Sequence, residues 1–223
     1  MDFRDTRRAV LAVLGAGLGM PAALRVALAQ SSATQGVRTA RGELLINGKP
    51  AEAGAPVRPG DVIATGQGAL AAFVVGQDAF LVRENSRAEL IGSGVLVSAL
   101  QLVTGKLLGV FGSRGEHRLV TSTATIGIRG TGAYIEAEAR RTYFCLCYGS
   151  AEVSATIGGA RETYSTRHHE SPRYIYGDGR PRTIVPASVA NHTDSELIML
   201  ESLAGRSPPQ SFMDGPYMSS PYH

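Results

Sequence analysis

The chain has 223 residues and a formal net charge of +3, with 22 lysines and arginines against 19 aspartates and glutamates. No run of basic residues is longer than two, which argues against the nucleic-acid-binding class of proteins. The length suffices for one domain with its own core and a short extension.

Residues 1–29 have the pattern of an export signal. Thr6-Arg7-Arg8 precedes an apolar run, Ala9–Leu24, and Ala27-Leu28-Ala29 is a small-x-small cleavage site. The run is shorter than the roughly 20 apolar residues that cross a bilayer. An arginine pair is typical of twin-arginine signals, although ordinary secretory signals also contain such pairs. We therefore predict cleavage, export by the twin-arginine route and a periplasmic mature protein with no integral membrane segment.

The next part of the chain changes from polar to β-like. Residues 30–40 are polar without periodicity and predict a flexible lead-in. Across residues 41–166, short apolar runs alternate with turn residues every eight to twelve positions, and Asn47-Gly48 is a hairpin signal. This spacing predicts an all-β domain, either a compact sandwich or barrel or a short solenoid.

The stretch from Thr121 to Ser154 reads as three strands. Ala124–Ile128 and Ala133–Ala139 flank Arg129-Gly130-Thr131-Gly132, and Thr142–Tyr148 follows. The glycines could hold an anion through backbone amides. The alternative is a turn that needs positive φ, and the lack of a Gly-Lys-Ser/Thr sequence and of a following helix favours the turn.

Several blocks in order resemble the FecR-type domain, the ferric-citrate-regulator module of bacterial cell-envelope proteins. The similarity covers about residues 57–155, and its matching positions are Gly60, Asp61, Ile63, Thr65, Gly66, Thr123, Ala124, Gly130 and Thr131. The resemblance implies a β-rich periplasmic module for binding or sensing, without a known catalytic residue set. Founding members control a sigma factor through a cytoplasmic segment, a role that we do not expect in a chain that opens with an export signal.

Cys145 and Cys147 are the two cysteines of the chain. Two positions apart on a strand, their sulfurs share one face, but the Cα atoms would lie about 6.6 Å apart, at the limit of disulfide geometry. With one or both of His168 and His169, the thiols would suit zinc or copper(I). A redox-active pair, a disulfide on a kinked strand and plain buried thiols are the alternatives.

An enzyme has little support in the sequence. Neither a Gly-x-Ser-x-Gly elbow nor a His-Glu-x-x-His pair is present. Cys147 and His169 could form a nucleophile–base pair, but the sequence identifies no third residue to orient the histidine. We expect a non-catalytic protein.

Residues 167–205 form the predicted extension beyond the β domain. Arginines and tyrosines interleave around its start, a mixture found both in recognition surfaces and in loops that cover a barrel mouth. A partner surface would use Arg167, Arg173, Tyr174 and Tyr176. Thr193 followed by Glu196 is a capping box and predicts one helix that ends near Gly205. Residues 206–223 predict a flexible tail.

Two functions follow from these patterns. The first is an exported FecR-like binding or signalling module of the cell envelope, whose partner would be an envelope protein or a glycan. The alternative is a periplasmic metal-binding or thiol redox protein that uses Cys145 and Cys147 with His168 or His169.

Overall fold

The computed structural model describes residues 35–113 and 115–214, and the predicted export signal lies outside them. These residues form fourteen strands and two helices. The strands are β1 (Gly36–Arg41), β2 (Leu44–Ile46), β3 (Lys49–Pro50), β4 (Val62–Thr65), β5 (Leu70–Val75), β6 (Asp78–Val82), β7 (Arg87–Ser93), β8 (Leu96–Val110), β9 (His117–Val120), β10 (Ala124–Ala137), β11 (Arg141–Ala155), β12 (Arg161–Thr166), β13 (Arg173–Tyr176) and β14 (Ile184–Pro186). The helices are α1 (Asp194–Leu203) and α2 (Gln210–Met213). The predicted all-β class with a small C-terminal helix is confirmed.

Three long strands, β8, β10 and β11, organise the sheet. In the first half of the sheet the strand order is β1-β5-β6-β8-β10-β11-β13-β14. In the second half the order is β3-β2-β4-β7-β8-β9-β10-β11-β12. Pairing is antiparallel except between β8 and β9. Because the same three strands run through both halves, the fold is one continuous sheet whose two halves share a seam.

The main core lies where the inner faces of the two halves meet. Phe73, Leu107 and Phe144 come from the first half, and Leu90 and Val153 come from the second, yet all belong to one buried cluster. Successive residues of a strand point to opposite faces, so alternate side chains within each half of β10 and β11 reach this cluster. Burial of this shared apolar surface holds the halves together.

A second apolar cluster lies on the outer face of the first half. Here residues 187–214, the C-terminal segment, cover the sheet with α1 and α2. Leu197, Leu200 and Phe212 of this segment are fully buried against sheet residues that include Leu108 and Tyr134. The cysteines of β11 also belong to this cluster.

Asn47-Gly48 forms the expected β2–β3 hairpin, with both residues at positive φ, 53° and 76°. The Thr193 capping box is also present, and α1 starts at Asp194.

Three local expectations differ from the structure. Gly36–Arg41, most of which lies in the lead-in predicted at 30–40, is strand β1, because its backbone pairs with β5. The predicted turn at 129–132 is instead a bulge within continuous β10: the register shifts between Arg129 and Gly132, and Gly130 has a φ of 56°. Sheet pairing also continues past residue 166 through β13 and β14, and α2 lies in the predicted tail.

Within the described ranges, no helix combines the length and the apolar character that a membrane crossing requires.

Candidate metal centre

The alternation of β11 places both cysteines under the C-terminal segment. Phe144 and Leu146 point into the main core, so Tyr143, Cys145 and Cys147 point to the outer face. Both thiols are fully buried and free.

His169 reaches the cysteines from the loop that follows β12. Its backbone N–H donates to the Cys147 carbonyl oxygen over 3.0 Å, and it adopts a φ of 54°. The Glu170 carboxylate accepts hydrogen bonds from the backbone N–H groups of Arg167 and His168, which closes the loop into a tight turn. These contacts hold the imidazole of His169 over β11, with Nδ1 3.4 Å from the Cys145 sulfur.

The start of α1 supplies two further groups. His192 lies directly before the N-cap residue Thr193, and Asp194 is the first helical residue. An acidic group in the first turn of a helix is favoured by the helix dipole. The capping box therefore fixes both the helix start and the direction from which His192 and Asp194 approach the sheet.

Four possible ligand atoms converge at this point. The side chains of Cys145, Cys147, His169 and His192 each offer one such atom, all within 4.8 Å of one another, and all four residues are buried. His192 Nε2 lies 3.2 Å from His169 Nδ1. These four side chains are called the Cys-His tetrad below.

The remaining ring nitrogens of both histidines contact oxygen atoms. His169 Nε2 lies 2.9 Å from an Asp194 carboxylate oxygen, and His192 Nδ1 lies 2.7 Å from the Ala190 carbonyl oxygen. An imidazole that donates its far N–H to an oxygen presents its other nitrogen as a ligand, and metal-binding histidines are held in this way. The tautomers that these contacts favour leave Nδ1 of His169 and Nε2 of His192 facing the cysteines.

The charges inside this site are strongly coupled. Burial acts to raise the pKa of the Cys145 thiol, but hydrogen bonds from Cys147, His169 and His192 outweigh it and hold that pKa well below its usual range. Burial and the neighbouring Cys145 raise the pKa of Cys147. Burial acts against a charged His169, yet hydrogen bonds to Asp194 and Cys145 raise its pKa to about 9.

Asp194 completes this charge arrangement. Burial acts to raise the pKa of its carboxyl group, but hydrogen bonds from His169 and His168 outweigh that effect and lower it. These shifts favour the charged forms of the three side chains that lie in sequence from Cys145 through His169 to Asp194.

Aromatic rings enclose the tetrad. The His192 ring stacks on Tyr134 at 4.5 Å between centroids, and Phe212 of α2 stacks on His168 at the same separation. Phe212 also meets the edge of His169. Because these rings and α1 cover the sulfurs, the site is closed to solvent.

His168 does not join the tetrad. Its Nε2 lies 2.8 Å from Asp194, so it shares that carboxylate with His169 instead of facing the cysteines. His192 takes the fourth position. The sequence analysis assigned no role to His192, and its position directly before the capping residue Thr193 was the available signal.

The residues of the predicted partner surface do not share one face. Arg173 points away from Tyr174 and places its guanidinium over the Tyr164 ring at 4.5 Å. Tyr174 and Tyr176 lie on the other face of β13, with their ring centroids 6.1 Å apart. Arg167 is exposed in the loop after β12. The structure therefore separates these four residues into three places.

The pairing of nucleophile and base also differs from the sequence hypothesis. The His169 ring contacts the sulfur of Cys145 and not that of Cys147, whose sulfur faces the Cys145 carbonyl oxygen at 3.9 Å. Asp194 is the orienting residue that the sequence did not identify. Cys145 is 0% exposed, so in this conformation an external substrate does not reach its sulfur.

Known proteins are similar to this chain in structure but not in sequence. No protein-family model matches the sequence, and no curated protein matches it significantly. Two solved structures, both described as a "putative anti-sigma factor" from Parabacteroides distasonis, are similar to 62% of this chain over 71% of their own, with TM-scores of 0.47 and identities of 10% and 11%.

Proposed function

We propose that this protein binds one zinc or copper(I) ion through Cys145, Cys147, His169 and His192. The observation that carries the proposal is the convergence of four buried ligand atoms within 4.8 Å, with both imidazoles held by oxygen acceptors on their far nitrogens.

The dimensions and the donor set fit such an ion. Tetrahedral zinc with bonds of about 2.3 Å to sulfur and 2.0 Å to nitrogen separates its ligand atoms by roughly 3.3–3.8 Å. In the tetrad, Nδ1 of His169 lies 3.4 Å from the Cys145 sulfur and 3.2 Å from Nε2 of His192, close to that range. Two thiolates and two imidazoles form a frequent set for structural zinc, and thiolates also favour copper(I).

The burial of these groups gives the metal a physical role. Thiols and imidazole nitrogens removed from water lower the stability of a fold unless they are bonded. A bound metal would offset this loss of stability through four coordinate bonds. A site with four protein ligands leaves no open position for a substrate. The proposal is thus for a structural or regulatory metal, consistent with the expected absence of catalysis.

The direct experiment measures metal content and stability together. Purified full-length protein should hold one metal ion per chain by elemental analysis, and a chelator should lower its melting temperature. With free zinc 1,000-fold above the dissociation constant, binding adds about 4 kcal/mol, or roughly 8–16 °C for a chain of this size.

Matched variants define the outcome. Cys147→Ser should lose the metal and the response to chelator, whereas His117→Gln, which removes a buried imidazole outside the tetrad, should keep the stoichiometry. Two free thiols by titration, with identical melting in the presence and absence of chelator, would refute the metal site.

The FecR-like binding or signalling role remains a second proposal. An open groove of about 900 Å³ crosses the outer face of the second half of the sheet. Its charged lining residues are Arg118, Arg129, Arg161, Glu116 and Glu152, of which Arg161 and Glu152 form an ion pair. The space above Gly127, which also lines the groove, is open. These features favour the groove as the surface for an envelope protein or a glycan.

This role is testable by position-specific crosslinking in the periplasm. A photoreactive residue at Gly127 should form a defined adduct, and the same residue at exposed Met199 on α1 should not. Equal adducts at both positions would show that the groove is not the binding surface.

A further inference from the structure

The ligands of the proposed metal come from two parts of the chain that the ion would tie together. Cys145 and Cys147 belong to strand β11, and His169 is bound to that strand through its backbone. His192 belongs to the C-terminal segment, as does Asp194, whose carboxylate holds His168 and His169. Metal coordination would therefore join the C-terminal segment to the sheet.

The other contacts between the C-terminal segment and the sheet combine apolar packing with hydrogen bonds. Tyr143 donates to the Ser188 carbonyl oxygen, and the buried Tyr148 hydroxyl donates to the buried Glu201 carboxylate. Leu197, Leu200 and Phe212 insert into the apolar face of the sheet. Arg83 on the sheet side binds Glu196 at 2.8 Å, with both side chains about one-quarter exposed. Partly exposed ion pairs contribute little.

The centre of the same interface is polar. His168, His169, His192 and Asp194 are all buried there beside the two thiols. Buried polar groups favour association only while their bonds are complete, and removal of one member leaves the others buried without a partner. The stability of the interface should consequently depend on whether the tetrad is bonded by a metal.

The geometry points to a metal-dependent latch: the ion holds residues 187–214 against the outer face of the sheet, and its loss releases the segment and uncovers the apolar surface beneath. This inference rests on the proposed function. The occupant of that surface in the latched state is the chain's own C-terminal segment, and the main core, which lies on the other face of the sheet, is not part of the latch.

Amide hydrogen exchange of the full chain, with zinc and with chelator, tests the latch. An opening that breaks the tetrad is suppressed by the factor 1 + [Zn]/Kd, so zinc 100-fold above Kd should slow exchange in α1 about 100-fold. Strands β4 and β7, in the second half of the sheet, should change little, because their opening does not require release of the segment.

The possible outcomes are distinct. Equal protection of α1, β4 and β7 would mean that the metal stabilises the fold as a whole, which overturns the latch. One zinc ion bound per chain without slower exchange in α1 also overturns it and leaves the metal site intact. If no zinc binds, the proposed function fails and the latch fails with it.

A variant remote from the ligands tests whether docking of the segment in turn affects zinc affinity. Leu200 is fully buried and lies eight residues beyond His192, about 9 Å along the helix from its start. Leu200→Ala should weaken docking of the segment, and because docking and metal binding are linked, it should lower zinc affinity about tenfold or more. Met199→Ala, on the exposed side of α1, is the control and should leave the affinity unchanged. An unchanged affinity in Leu200→Ala, with α1 exchanging faster than in the wild type, would overturn the latch.

Discussion

Two acceptor oxygens decide which ring nitrogens face the cysteines. The Asp194 carboxylate contacts His169 Nε2, and the Ala190 carbonyl contacts His192 Nδ1. Neither oxygen is part of the tetrad. The chemistry of the site therefore depends on residues that would not touch the metal.

The first prediction concerns Asp194. Asp194→Asn replaces a carboxylate shared by His168 and His169 with an amide that accepts from only one of them. Loss of such an outer partner typically weakens metal binding 10–100-fold, and we expect that range for zinc. Competition against a chromophoric chelator measures it. Asp178→Asn, at an exposed ion pair with Arg180, is the control; equal affinities for all three proteins would contradict the role of Asp194.

A second buried acid lies far along the chain from the tetrad. Asp78 is 2% exposed, accepts a hydrogen bond from the Gly112 N–H over 2.8 Å, and lies 3.7 Å from His117 Nδ1. Burial raises the pKa of its carboxyl group, an effect that His117 only partly offsets. The charged form is therefore less favoured in the folded protein than in the unfolded chain.

The second prediction concerns the pH dependence of stability that the raised pKa of Asp78 produces. A raised pKa means that the contribution of Asp78 to stability is present below its ordinary value of 3.8 and is lost as the pH rises through the folded value. Asp78→Asn keeps an acceptor for Gly112 and avoids this loss. Urea denaturation measures the free energy of unfolding of both proteins. The value for the variant minus that for the wild type should increase from pH 3 to pH 7. A difference that falls with pH would contradict the assignment.

At the scale of the elements, the bend of β10 and β11 joins the two halves of the sheet. Gly130 in β10 and Gly149 in β11 both have positive φ, 56° and 99°. A Cβ on Gly149 would lie 2.5 Å from a methyl carbon of Thr131, a distance that does not occur without displacement. Glycine at this position lets both strands change direction while they stay paired.

The third prediction tests this bend. Gly149→Ala should reduce the free energy of unfolding by about 1–3 kcal/mol, because it combines left-handed strain with a steric overlap. Gly127→Ala, on the same sheet, meets open space and should stay within about 0.5 kcal/mol of the wild type. Urea denaturation of both variants gives the comparison, and equal losses would show that the bend does not require glycine.

At the scale of the whole molecule, the proposed metal site and the main core have separate roles. The core joins the two halves of the sheet through three shared strands, whereas the site lies between the sheet and the C-terminal segment. The fold should therefore persist without metal, whereas docking of the C-terminal segment should weaken when the metal is removed.

The fourth prediction concerns export of the complete chain. Replacement of Arg7 and Arg8 by lysine should leave precursor in the cytoplasm if the twin-arginine machinery carries the protein. Cell fractionation followed by detection of precursor and mature forms measures this. Normal export of the double variant would exclude that route and would leave an ordinary secretory signal as the explanation.

Part of the structure could be predicted from local sequence signals. Turn residues at short intervals indicated the all-β fold, Asn47-Gly48 indicated a hairpin, and Thr193 with Glu196 indicated the start of α1. Alternation alone placed Cys145 and Cys147 on one face. Each of these signals works between residues that are close in sequence, where backbone geometry controls which side chains meet.

The remaining features depend on contacts between residues distant in sequence. Gly36–Arg41 is a strand because β5 pairs with it, and residues 129–132 form a bulge because the neighbouring strands continue past them. His192 meets Cys145, 47 positions earlier, because α1 packs on the outer face of the sheet. The sequence by itself thus determined the all-β class, the helix start and a pair of thiols on one face. Only the tertiary structure chose His192 over His168, because the choice depends on how the C-terminal segment docks.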